Sequence, residues 1–231
     1  MKNSIQKLLP ELRHLLKSEA NPEQAIQMSA YMKNRFSFFG IKSPERRKLT
    51  GEWQKTFTIS SESELLNLSN ELWKLEQREF QYVACDSLKK HKNLLTLNSL
   101  STLKNLICTK SWWDTVDVIA SHPVGQIVLN FPECGETMDS WINDENMWVR
   151  RTAILHQLQF KTETNEKRLF RYCEKCMEEK EFFICKAIGW ALRQYSYINM
   201  EAVLDFVRKN EERLSLLSTR EALKGFRRLN K

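Results

Sequence analysis

Five small or β-branched residues, Ala84, Val118, Ala153, Ala187 and Ala222, recur at spacings of 34, 35, 34 and 35. Each is centred in a segment of helical composition: EFQYVACDSL, WDTVDVIASH, VRRTAILHQL, ICKAIGWALR and TREALKGFRR. Between them lie apolar stretches long enough for a partner helix, at residues 65–73, 95–107 and 169–177. A helix pair repeated every ~35 residues cannot bury its apolar side alone, so successive pairs must stack into an α-solenoid. The Trp, Leu-Gly and Tyr pattern of tetratricopeptide repeats is absent, which leaves degenerate HEAT-like pairs. The expectation is an all-α, curved solenoid formed by one domain over residues 1–231. Residues 1–58 would form N-terminal helices and 59–231 the repeats, with the second helices lining a concave face.

Turn chemistry agrees. The 231 residues include only 6 Gly and 5 Pro. That is too few for the closely spaced turns of a β-sandwich or the Gly-rich turns of a doubly wound α/β fold. Near the start, Ile5, Leu8, Leu9, Leu12, Leu15 and Leu16 mark one helix face. Asn21-Pro22-Glu23-Gln24 reads as a helix start with Asn as the cap and Pro at the first position, and that helix should run to about Lys33. Ser43-Pro44-Glu45 reads as a third start of the same kind.

Charge is unevenly spread. Residues 1–149 carry 18 basic and 18 acidic side chains, and residues 150–231 carry 18 and 11, so the later part holds the whole excess of +7. Lys33, Arg35, Lys42, Arg46, Arg47 and Lys48 form a second basic cluster against Glu45 alone. Two such clusters on one body fit a polyanion. No apolar run reaches the ~18 residues of a membrane span, and the N-terminal stretch lacks the apolar core of a signal peptide. The six cysteines sit mostly at apolar helical positions, as reduced thiols do, so a cytoplasmic protein is expected. Cys173 and Cys176 have metal-like spacing, but no second Cys or His pair completes a set, so neither metal nor cofactor is expected.

Around the repeated column stand Trp112, Trp113, Asp114, Asp117, Arg150, Arg151, Lys186, Trp190, Arg193 and Arg220. Indoles interleaved with cations suit a nucleic-acid backbone and its bases. Ser111 is placed to cap the helix that follows, and Trp113 and Asp117, at i and i+4, share a face of it. There is no nucleophile with an adjacent base and no Gly-rich phosphate loop, and His14, His91, His122 and His156 are scattered singly. One carboxylate among electron-rich rings suits a cationic centre instead: cation–π attraction contributes about 0.5–2 kcal/mol per ring. The carboxylate adds electrostatic stabilisation and can orient a water.

Four blocks in order, YMKNRFSFFGIKSPERR (31–47), KSWWDTVD (110–117), WVRRTAIL (148–155) and FFICKAIGWALR (182–193), resemble the AlkD-type DNA alkylation repair proteins. The resemblance implies a HEAT-like solenoid that holds duplex DNA. It also implies a monofunctional glycosylase that excises N3- and N7-alkylated purines without flipping the base into a pocket. It puts the catalytic aspartate on Asp117, the two site tryptophans on Trp113 and Trp190, and a phosphate-contacting arginine on Arg151. Tyr31 of the second helix would approach the DNA, with Lys42, Ser43 and Arg47 binding it nearby. Lys42 stands where a glutamine is expected, and residues 123–140 match weakly. The protein would act as a monomer on duplex DNA, without a membrane. The alternatives are a HEAT-like protein that binds distorted or branched DNA without catalysis, and a protein–protein scaffold.

Overall fold

The computed structural model describes residues 2–226, and their side chains from Lys7 onward, so the Ile5 side chain lies outside the described residues. The described chain is all helical, with no strand, and it divides after Leu95 into two compact units. The first ~35-residue pair therefore groups with the N-terminal helices rather than with the later pairs.

The first unit contains α1 (Lys2–Ser18), α2 (Pro22–Tyr31), α3 (Ser43–Trp53), α4 (Glu62–Lys74) and α5 (Arg78–Lys90). Leu12 and Leu16 of α1 are fully buried, and Leu8, Leu9 and Leu15 partly so, as the 3.6-residue pattern requires. Asn21 caps α2 by accepting the Gln24 N–H at 3.0 Å. The helix ends two residues before the expected Lys33. Lys33 and Asn34 turn left-handed (φ 59 and 55), and the Asn34 N–H closes back on the Ser29 carbonyl at 2.8 Å. Helix α3 starts one residue earlier than its composition suggests. Lys42 occupies the cap position without a side-chain bond, so Pro44 in the first turn, not a Ser43 hydroxyl, supports the start.

The loop between α2 and α3 has no regular structure, yet three of its N–H groups share one acceptor. The buried Glu79 carboxylate of α5 accepts from Phe39, Gly40 and Ile41 at 3.1, 2.9 and 3.2 Å. Gly40 sits at φ 91, and a Cβ there would run into the Asn21 carbonyl and approach the Ala25 nitrogen to 2.6 Å. That position therefore requires glycine.

The second unit contains α6 (Ser99–Cys108), α7 (Trp113–Ile119), α8 (Gly125–Asn130), α9 (Gly135–Trp141), α10 (Met147–Leu155), α11 (Glu166–Cys176), α12 (Phe182–Ser196), α13 (Met200–Lys209) and α14 (Leu216–Ala222). Helix α6 packs on α7, α9 on α10, α11 on α12 and α12 on α13. The second helices also pack side by side in the order α7, α10, α12, α14. Ala153, Ala187 and Ala222 of these helices are fully buried, as is Ala84 in the first unit, as expected of small residues that let neighbouring helix axes approach. Val118 does not join them. It is half-buried, and Ile119 next to it takes the core position. A wide π turn at Ala120–Val124, which contains Pro123, follows immediately. Pro123 has no N–H for the regular ladder, so the backbone widens there.

Candidate active site

Helix α7 starts at Trp113 with Trp112 at the cap position. Ser111 is not the cap; its hydroxyl donates to the Ile107 carbonyl of α6 at 2.6 Å. The two adjacent indoles diverge because neighbouring helical positions point about 100° apart. Trp112 is core: it packs against Trp148 and Phe183 with ring centroids 5.7 and 5.0 Å away. Trp113 is half-buried, one turn before Asp117 on the same face.

The Asp117 carboxylate is gripped from the neighbouring helix. Arg151 of α10 donates through Nε to Oδ1 at 2.7 Å and through its second terminal nitrogen to Oδ2 at 2.8 Å. Its other terminal nitrogen donates to the Phe183 carbonyl of α12. The Arg151 side chain is 1% exposed and that of Asp117 19%. This is the forked, charge-assisted geometry that holds a carboxylate in one orientation. Burial pushes the Asp117 carboxyl above its ordinary range, against the opposing bond and charge of Arg151, and the nearby Asp114 adds to the rise. Burial wins because a carboxylate in a low-dielectric site loses more hydration than one partner restores.

Trp190 of α12 lies beside this pair. The Arg151 guanidinium carbon is 5.4 Å from its ring centroid, and the Lys186 ammonium is 5.3 Å away. Lys186 in turn donates to Glu221 of α14 at 2.8 Å. Four charges at repeat spacing, Asp117, Arg151, Lys186 and Glu221, thus run across α7, α10, α12 and α14, with Trp190 between the two cations.

Of the expected site residues, direct contacts bring together Asp117, Arg151 and Trp190, and helix position adds Trp113. The resemblance puts a phosphate on Arg151; here that side chain is buried and bonded to the Asp117 carboxylate and the Phe183 carbonyl. Arg150 pairs bidentately with Glu179 and donates to the Asp144 and Glu145 carbonyls. In the first unit Tyr31 is 69% exposed at the end of α2, and Lys42, Ser43 and Arg47 are exposed around the start of α3. Arg46 of that basic cluster is not a surface cation. It is buried, 2.8 Å from Asp86 and 4.8 Å from the Tyr82 ring centre. Glu221 is the site residue that the sequence reading missed. Its signal was a carboxylate one repeat, 35 residues, beyond Lys186.

The DNA alkylation repair enzyme family profile matches residues 12–226, nearly the whole chain. The chain belongs to the DNA alkylation repair enzyme family. A solved structure of a family protein, described as a predicted DNA alkylation repair enzyme from Enterococcus faecalis, superposes with a TM-score of 0.80 at 36% identity. The match covers 89% of this chain and 95% of that one. Comparison with curated proteins gives no match. Family membership supports an enzyme of alkylation repair acting on DNA. Among the described residues no helix is long and apolar enough to cross a membrane.

Proposed function

We propose that this family member is a monofunctional, AlkD-like DNA glycosylase that hydrolyses the N-glycosyl bond of N3- and N7-alkylated purines in duplex DNA. The observation that carries this reading is Asp117, a partly exposed carboxylate fixed by a buried arginine and accompanied by two half-buried indoles. Alkylation at N3 or N7 makes the purine cationic, so it leaves without a general acid. As the C1′–N bond breaks, its electron pair neutralises the ring and the sugar becomes oxocarbenium-like. Asp117 stabilises that developing charge and orients the water whose oxygen bonds to C1′. The products are the neutral alkylpurine, an abasic site and one proton.

Arg151 acts as a positioning residue, because it reaches the reacting atoms only through the Asp117 oxygens. The Trp190 ring lies within cation–π distance of two protein cations, and a cationic nucleoside packed on it would gain the same kind of attraction. Tyr31, Lys42, Ser43 and Arg47 would hold the duplex from the first unit. Incubating the protein with duplex DNA that carries one N7-methylguanine and scoring abasic sites tests the reading. Salt-sensitive DNA binding without any abasic product would instead favour a non-catalytic DNA-binding protein.

A further inference from the structure

On α12, Lys186, Trp190 and Arg193 stand at i, i+4 and i+7 and share one helix face. Both cations reach the same carboxylate on α14. Glu221 accepts from Lys186 at 2.8 Å through Oε1 and from Arg193 at 3.0 Å through Oε2, and Lys224 joins it at 2.5 Å. The Glu221 side chain is 3% exposed, whereas those of Lys186 and Arg193 are 22% and 30% exposed. Three cations around one acid leave a net +2, with the negative charge behind and the positive charges towards solvent. Burial pushes the Glu221 carboxyl up, but Lys186 and Lys224 bring it down to about 2, so it stays ionised across the physiological range. The helix spacing that permits this comes from Gly189, where a Cβ would stand 2.5 Å from the Glu221 Cβ and 2.8 Å from the Ser218 carbonyl oxygen.

From this geometry we infer that Lys186 and Arg193 form a pre-ordered clamp for the DNA phosphodiester backbone beside Trp190, and that Glu221 is the positioning residue that holds the clamp open. The inference rests on the DNA-binding reading above and adds the place where the strand is gripped. Along α12 the two residues are offset by about 10 Å at ~1.5 Å rise per residue. Their charged groups bond opposite oxygens of one carboxylate at 2.8 and 3.0 Å, and so stand closer together than that. That closer spacing suits successive phosphates of one strand, which lie further apart than the ~3.4 Å axial rise per nucleotide because the strand winds around the duplex. A nucleotide packed on Trp190 would therefore have its neighbouring phosphates bracketed. Fixing two long side chains before DNA arrives removes an ordering cost of about 2- to 12-fold in affinity each.

The test is the affinity of the full chain for undamaged duplex between 50 and 250 mM KCl, which needs no excision. Each phosphate contact contributes about 0.9 to the slope of log K against log salt. The Lys186→Gln, Arg193→Gln double variant should lower that slope by about 1.8, or roughly 60-fold in affinity at 0.1 M salt relative to 1 M. Glu221→Gln adds one positive charge, so a bulk-charge effect alone would tighten binding. The positioning role expects binding at least about 5-fold weaker, with thermal melts confirming the fold. An unchanged slope in the double variant overturns the clamp, including where Glu221→Gln does not fold. Tighter binding by folded Glu221→Gln overturns the positioning role. Wild-type protein that binds no duplex at all refutes the DNA reading itself, which separates the two failures.

Discussion

Replacing Arg151 with Met tests the ion pair at the centre of the site. The change removes a guanidinium that is 1% exposed and strips Asp117, 19% exposed, of both charge-assisted bonds. Breaking a buried pair from one side costs about 3–5 kcal/mol. Water can reach part of the Asp117 carboxylate, so the expected loss is about 2–4 kcal/mol. Asp117→Asn alone leaves the deeper partner, Arg151, without its counter-charge and should cost a similar amount. The double variant removes both charges, so the single losses should not add, with a coupling of about 1.5 kcal/mol or more. Denaturant unfolding of the four proteins at pH 7 measures that coupling. A pH series supplies a second arm. Burial already raises the Asp117 carboxyl, and losing Arg151 removes the main opposing influence. A carboxyl raised in the native state holds a proton that the unfolded chain has released. Its penalty therefore develops as pH rises from the unfolded to the folded pKa, and stays constant above that. The Arg151→Met deficit relative to wild type should grow as pH rises from the raised wild-type Asp117 pKa towards the still higher one of the variant, and fade before pH falls to the ordinary carboxylate range. Coupling below about 0.5 kcal/mol together with a pH-independent deficit would refute the argument.

Asp117→Asn should nearly abolish excision of N7-methylguanine while duplex affinity stays level or rises slightly, since a charge that repels phosphate is gone; single-turnover assays beside binding curves show either. Wild-type excision should fall on acidification at a pH above the ordinary aspartate range, because burial raises the Asp117 carboxyl; a rate that is flat down to that range removes Asp117 from the chemistry. The Trp113→Ala, Trp190→Ala double variant should lose about 1–4 kcal/mol of transition-state stabilisation, or ~10- to 1000-fold in rate, and more for a cationic purine than for a neutral one. Equal losses for both substrates, with a lowered melting temperature, would return the indoles to the core. Gly189→Ala should cost about 1–3 kcal/mol by forcing α12 from α14, read by thermal melting.

Helix class, the pairing of neighbouring helices and the 34- to 35-residue period were legible in the residues alone, because these depend on local periodicity and on small side chains at most of the helix contacts. The placing of Trp113 and Asp117 on one face was legible too, since i and i+4 positions are fixed by the helix itself. The Asn21 cap was equally local. What depends on a neighbour about a repeat away came only with packing. Only the packing of α7 on α10 turns Asp117 and Arg151, 34 residues apart, into an ion pair and takes Arg151 out of solvent. Packing also decided that Trp112 joins Trp148 and Phe183 in the core while Trp113 stays half-buried, a choice that adjacent identical residues cannot encode. The same holds for Arg46, basic by composition yet buried against Asp86, and for the column slipping from Val118 to Ile119 before the π turn. Glu221 was the hardest to read. A lone glutamate in a C-terminal helix gains its role only when Gly189 lets α14 close on α12 and three cations converge on its carboxylate, a sum of contacts that no local pattern records.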